Sequence, residues 1–406
     1  MKIGIIGGGP AGIFAAIEAS KFHSDVTLFD NNNHLGRKLS VTGAGRCNLT
    51  NEKISKSFYS STTEFKFGNI IDNFGYNFLE GYFQNLGIYT YHTDDGWVYP
   101  LSNSAKNIAL FLAEVLYKLN VTIKTNIEIT NISKQKNKFV LSSNQNGNYS
   151  FDKIIVSTGS KAHPQLKSND ILLKPIRDLG HNIIQPYPAL APILTSKNET
   201  KDLFGVRQDA AIRIYDGKKL IGSEIGNIIF TEWGVNGPGV MNLSHLVHKH
   251  NNLSIEICYL DILPENFKLE TINRKEQLLS LRMPFLSIIN NKIIDSIFAK
   301  LSLDINSKFS EKNFQKILDS LSFREMIIGT RDLEFSQIST GGVDSREVNT
   351  QTFESLICPG MYFAGEILDV FGPCGGYNLH WAFVSGLVAG KSASASSLEY
   401  LLKLDL

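Results

Sequence analysis

Cysteine is scarce in this chain of 406 residues: Cys47, Cys258, Cys358 and Cys374 are the only four, and none stands in CxxC or other metal-type spacing. That argues against a disulfide framework and against a structural zinc site, and it fits a reducing compartment. An excess of one charge is missing too, since 40 basic residues face 39 acidic ones for a formal charge of +1. No long-range field then draws the chain to nucleic acid or to an anionic membrane surface, which leaves only local patches. There is no internal repeat, low-complexity tract or long linker, and no apolar run of membrane-spanning length. The apolar stretch from Lys2 to Ala19 has the look of a signal peptide, but Gly7, Gly8, Gly9, Pro10 and Gly12 interrupt any apolar helix there. The expectation is a cytoplasmic protein without membrane association. At this length it should carry a main domain with one or two smaller ones.

What replaces the signal peptide is a nucleotide unit. Ile3 to Ile6 is a short β-branched run of the kind a buried parallel strand shows. Gly7-Gly8-Gly9-Pro10-Ala11-Gly12 follows and fits G-x-G-x-x-G, and the segment from Ala11 to Phe22 has apolar residues at helical spacing. Val26 to Phe29 then forms a second strand that ends in Asp30. Gly7 permits the tight turn, Gly9 lets a pyrophosphate approach the backbone, and Gly12 lets helix and strand pack closely. Asp30 lies where the pattern places a carboxylate on the ribose hydroxyls of an adenosine. An acid at that place disfavours a ribose 2′-phosphate.

Three further segments turn a generic dinucleotide site into one for FAD. Gly36-Arg37-Lys38 through Gly43-Ala44-Gly45-Arg46-Cys47-Asn48 sets basic and small residues after the second strand, as a loop running along a dinucleotide toward its far ring would need. Lys153 to Val156 is an apolar strand ending in Ser157-Thr158-Gly159, a turn small enough to pass close to a cofactor. Gly360 to Ala364 reads as a strand ending in Gly365-Glu366, and the loop to Gly375-Gly376-Tyr377-Asn378 opens a helix through Trp381 and Leu387. Glu366 or Asp369 is placed to hold the ribityl or phosphate end of a flavin. The helix from Tyr377 would aim its positive end at the pyrimidine edge, where charge accumulates on reduction. Asn31 and Ile129 complete the set of expected cofactor contacts.

On these residues the chain resembles the BaiN/YhiN-like family of NAD(P)/FAD-dependent oxidoreductases. The resemblance rests on Gly36-Arg37-Lys38, on Gly45-Arg46-Cys47-Asn48-Leu49-Thr50-Asn51, on Ser339-Thr340-Gly341-Gly342-Val343, and on Tyr362 to Asp369 with Gly375 to Asn378. It implies an α/β fold: an FAD-binding Rossmann type, two-dinucleotide-binding-like with a single nucleotide site, with an inserted β-rich subdomain and a small helical subdomain. Two departures stand out. Lys161 to Asp170 contains no glycine where family members carry a stretch like G-S-T-G-D-G, and Glu232 and Asn236 stand where the family has a histidine and a serine. Some members are assigned to reduction of unsaturated 3-oxo bile acids, but nothing in the pocket segments here indicates a steroid.

Between Pro188 and Phe335 no cofactor motif appears. Short β-rich pieces (Ala211 to Tyr215, Asn227 to Thr231, Leu253 to Leu260) suggest a small sheet or barrel, and Pro264 to Leu321 has helical spacing. The expected boundaries are 1–187 and 336–406 for the two parts of the FAD domain, 188–262 for the β-rich insertion and 263–335 for the helical one. The expected activity is an FAD-dependent oxidoreductase acting on a small organic molecule with an activated C=C bond or similar acceptor. NAD(P)H would bind transiently, because no second G-x-G-x-x-G unit exists. A flavin-dependent RNA-modifying enzyme, a monooxygenase and a non-catalytic flavin-binding redox partner are the alternatives; the charge balance speaks against nucleic acid. No catalytic residue is assigned and no metal is expected. His163 and His380 adjoin the flavin motifs but read as packed or solvated, and Cys47 and Cys374 read as small apolar residues and not as a redox dyad.

Overall fold

Ile3, Ile5 and Ile6 are buried within β1 (Lys2–Ile6), the middle strand of a five-stranded parallel sheet. The computed structural model describes residues 1–22 and 24–395. The other strands are β2 (Asp25–Phe29), β3 (Thr122–Lys124), β4 (Lys153–Val156) and β5 (Met361–Phe363). They stand in the order β5-β4-β1-β2-β3, with Ile3 opposite Val26 on one side and Lys153 on the other. Neighbours this far apart in sequence require long crossovers, and burial on both faces explains why β1 and β4 read as nearly continuous apolar runs.

Two helices lie against this sheet. α1 (Pro10–Ser20) begins with proline at its first turn, where a missing N–H costs nothing. α2 (Tyr377–Ser394) packs along it at backbone distance. A Cβ on Gly386 would stand 2.1 Å from the Ala11 carbonyl oxygen, and one on Gly390 would stand 2.2 Å from that of Ala15. The glycine-and-alanine seam is what allows the helix from one end of the chain to lie on the helix from the other. An antiparallel three-stranded sheet (Ile129–Gln135, Lys138–Ser143, Asn148–Phe151) completes the crossover between β3 and β4.

The chain divides into two units: Met1–Tyr187 with the stretch from Ile338 onward, and Pro188–Gln337. In the second unit six antiparallel strands close a barrel: Ile193–Thr195, Arg207–Asp216, Lys219–Thr231, Gly234–Asn236, Leu253–Cys258 and Ser322–Thr330. The helical stretch between the last two strands contains Phe267–Asn273, Asn291–Lys300 and Glu311–Asp319. Its Phe285, Phe298 and Phe314 share one apolar core with the barrel's Ile212, Phe230 and Ile257. No helix among the described residues is long and apolar enough to cross a membrane.

Candidate functional site

The turn after β1 is built from glycines that differ in what surrounds them. A Cβ on Gly7 would lie 2.4 Å from the Ser157 carbonyl oxygen, and one on Gly12 only 1.8 Å from that of Gly7. Those two are glycine because backbone fills the space of a side chain. Gly9 is the opposite case, since a Cβ there would meet no atom within 4 Å. Its open side lies at the amino end of α1, where free N–H groups and the helix dipole favour a phosphate. Pro10 and Ala11 start that helix.

Asp30 follows β2 and faces the same turn. Its carboxylate accepts from the Gly8 N–H and the Asn32 N–H, both at 2.7 Å, while burial raises its pKa above the usual carboxylate value. Nearby, Arg37 Nε and Asn32 Oδ1 are buried without a protein partner among the described residues. An open glycine, a carboxylate at the second strand's end and an unpartnered buried guanidinium nitrogen suit the pyrophosphate and ribose of FAD. Asn31, next in the chain, donates from Nδ2 to the Lys167 carbonyl oxygen at 2.9 Å. Ile129 is buried at the start of its strand.

The loop after Lys38 turns tightly, with Gly43, Ala44 and Gly45 at φ of +56°, +55° and +86° and Cys47 at +67°. Ala44 and Cys47 hold a conformation that side chains disfavour, which marks a constrained segment. A Cβ on Gly45 would also meet nothing within 4 Å. The Arg46 guanidinium lies 4.4 Å from the Tyr99 ring centroid and donates to the Tyr99 hydroxyl at 3.2 Å. Burial pushes the Cys47 thiol up to about 12, so it is protonated at neutral pH and is no thiolate nucleophile. With its amide turned to satisfy both ends, Asn48 accepts from the Gly376 N–H at 3.2 Å and donates to the Thr50 carbonyl at 3.0 Å.

Residues more than three hundred positions apart meet at the end of β4. Lys38 Nζ reaches Glu366 Oε2 at 2.7 Å, and Ser160 Oγ donates to the same oxygen at 3.1 Å. Thr158, Gly159 and Ser160 line a small cavity, open to solvent, with Glu366, Gly341 and Gly342. Gly159 has φ +74° and Gly365 has φ +75°, so both strand ends make turns suited to glycine. Asp369 is placed differently from Glu366. Fully buried, it accepts from the Thr62 N–H and hydroxyl, the Ser61 hydroxyl and the Gly341 N–H, all at 2.8–2.9 Å. With four protein donors it braces three chain segments.

The amino end of α2 is fixed by its preceding loop. Gly375 and Gly376 have φ of +108° and +99°, and a Cβ on Gly376 would stand 2.3 Å from the Thr50 carbonyl oxygen. The Tyr377 carbonyl accepts from the Tyr59 hydroxyl at 2.9 Å, and Asn378 exchanges two bonds of 2.9 Å with the Gly372 peptide. His380 is fully buried, with Nδ1 2.7 Å from the Thr50 hydroxyl and Nε2 2.9 Å from the Phe74 carbonyl; burial pushes it down to about 4. It is a neutral packing residue. His163 is half-buried, and burial, helped by Lys38, lowers its pKa. Cys374 is half-buried and in no disulfide. Thr50, Tyr99, Ser160 and Lys167 also shape the site. Sequence alone gave them no role, because each acts through partners far away in the chain. Thr50 lay inside a motif; the others carried no signal.

The HI0933-like protein Rossmann domain family matches residues 1–392 of this chain. The chain is 29% identical over 407 residues to the 3-dehydro-bile acid delta(4,6)-reductase of Clostridium scindens, covering 97% of this chain and 99% of that one. It is 28% identical over 410 residues to a ribosomal RNA dihydrouridine synthase of Haemophilus influenzae, covering 96% and 98%. The ribosomal RNA dihydrouridine synthase of Escherichia coli is also 28% identical, over 402 residues and the same shares of each chain.

Proposed function

This chain belongs to the HI0933-like Rossmann-domain family and is an FAD-dependent oxidoreductase; we propose that it takes hydride from NAD(P)H and delivers it to a carbon–carbon double bond conjugated with a carbonyl group. The observation that carries this reading is the full-length similarity to relatives with two different substrates but one kind of bond. A Δ4 bond in a 3-oxo compound is conjugated with the ketone. The bond saturated when uridine becomes dihydrouridine lies beside a ring carbonyl in the same way.

FAD, when bound, supplies the two-electron carrier between nucleotide and acceptor. The chain's own residues would then divide the work. Gly9, the first turn of α1 and Arg37 would hold the pyrophosphate, and Asp30 the adenosine ribose. Lys38, Glu366, Thr158 and Gly159 would flank the ribityl chain. The first turn of α2 would stand at the pyrimidine edge, where its positive end favours negative charge. His380 is excluded as the proton donor, because it is neutral and both ring nitrogens are engaged. Burial and the nearby Lys38 lower the His163 pKa, which disfavours its charged form.

A small organic acceptor is the first reading. Uridine in ribosomal RNA is the second, favoured by two relatives that bear that name across 96% of this chain. The test is an anaerobic titration with NADH and then NADPH while the flavin absorbance is followed, then addition of a Δ4-3-oxosteroid, a small cyclic enone or a ribosomal RNA fragment. Bleaching by a nucleotide and recovery with an enone supports the first reading. Recovery with RNA alone, weakened by salt, supports the second. Failure of both nucleotides to bleach the flavin overturns the proposed hydride supply.

A further inference from the structure

The loop from Ser160 to Asp170 leaves the carboxyl end of β4 and is tied to the carboxyl end of β2. The ties are specific. Asn31 Nδ2 donates to the Lys167 carbonyl at 2.9 Å, and Lys167 Nζ donates back to the Asn31 carbonyl at 3.1 Å. Asn169 Nδ2 donates to Glu128 Oε1 at 2.8 Å, and Asn31 Nδ2 lies 3.4 Å from the same carboxylate oxygen. In the sheet β1 stands between β4 and β2. A chain that starts at one flanking strand and is fastened at the other therefore passes the carboxyl end of β1, where the glycine turn lies. Ligands of open parallel sheets bind in that crevice.

The loop's composition fits a fastened strap. It holds no glycine, yet His163 and Lys167 have φ of +60° and +61°, so side-chain contacts and not backbone freedom keep its shape. Ser160, Lys161, Asn169 and Asp170 line the cavity that Glu366 also faces. We propose that residues 160–170 close over bound FAD as a strap from the end of β4, beside the proposed ribityl contacts, to the end of β2, beside the proposed adenosine contact, and that Lys167 and Asn169 are positioning residues which set how long FAD stays. The proposal rests on the FAD reading above. It assigns the loop to cofactor retention and not to the chemical step.

Two measurements on the flavin-loaded protein test it. Lys161 and Lys167 are exposed, so trypsin should cut the loop in the flavin-free protein. FAD should slow cleavage there at least tenfold while leaving the cuts at Lys197 and Lys201, in the other unit, unchanged. In the double variant Lys167→Ala/Asn169→Ala, FAD release after dilution, followed by the recovery of FAD fluorescence, should be at least tenfold faster. Lys167→Ala alone keeps the Asn169 bond to Glu128 and should fall between. The flavin-free double variant should melt with the wild type, which separates lost retention from a lost fold. Release within twofold of wild type, or cleavage at Lys161 and Lys167 indifferent to FAD, overturns the strap. Failure of the wild-type protein to bind FAD at all overturns the cofactor reading and the strap together.

Discussion

At the scale of single residues, His380 shows how a side chain beside a motif can be structural. Its imidazole is buried and neutral, with its pKa pushed down to about 4 by desolvation. A histidine lowered in this way is protonated more readily when unfolded, so its contribution is complete above the unfolded value near 6.5 and is lost as pH falls toward 4. The linkage amounts to about 2 kcal/mol at pH 5. His245 is also pushed down to about 4 by burial, so wild type alone does not isolate the effect. The difference between wild type and His380→Gln in urea unfolding at pH 7 and pH 5 does, and the variant should lose roughly that much less stability on acidification. Asp30 is the other decisive residue. Replacing it with Asn removes the charge proposed for the ribose hydroxyls, and hydrogen bonds to charged groups contribute about 1.5–3 kcal/mol. FAD binding followed by flavin fluorescence should weaken roughly tenfold to a hundredfold by that measure. Both residues were visible in the sequence, but only Asp30's place beside the glycine turn was legible, because its partners lie within the same βαβ unit. Asp369 stood in an equally legible motif. Its donors come from residues 61, 62 and 341, and no spacing announces a bond between them.

At the scale of elements, the glycine turn, the first helix and the second strand were legible because a βαβ unit is contiguous and its glycines have mechanical reasons. The seam between α1 and α2 was not. Gly386 and Gly390 read as ordinary helix glycines until Ala11 and Ala15 are seen against them. Glycine in a helix interior weakens it by about 0.5–1 kcal/mol relative to alanine, so Gly386→Ala would stabilise an isolated helix. Here the added methyl would enter the Ala11 carbonyl oxygen, and overpacking of this kind costs about 1–3 kcal/mol. The expected result is a lower urea midpoint for Gly386→Ala. A higher midpoint would mean that α2 does not lie on α1 as described. The same displacement would move Gly365, whose own Cβ would stand 2.9 Å from that of Ala11. FAD affinity should therefore fall along with stability.

At the scale of the whole molecule, the consequence of sheet order β5-β4-β1-β2-β3 is that the cofactor domain has no complete half. β1 and β2 come from the first thirty residues, β4 from the middle of the first unit and β5 from beyond residue 360. The strands and the helical spacing in the middle of the chain were legible, since those patterns are local. The barrel's last strand, Ser322–Thr330, however, falls within the stretch 263–335 expected to be helical, and both belong to one unit. What that unit binds was not legible, because a pocket is made by side chains from separated strands. The barrel's Asn236 carries a buried amide oxygen without a protein partner among the described residues, which no pattern of residues foretells. Ligand binding stabilises the state that binds it, by about 2.7 kcal/mol at a hundredfold excess over Kd. If one crevice is built from both ends of the chain, FAD should slow hydrogen exchange together in residues 2–30, 153–160 and 361–394. The barrel strands 207–216 and 253–258, in the other unit, should exchange at their flavin-free rates. Protection confined to residues 2–30 would mean that the amino-terminal βαβ unit holds the nucleotide by itself. The assignment of the carboxyl-terminal motif to the flavin would then fall, while the dinucleotide reading of the first thirty residues would stand.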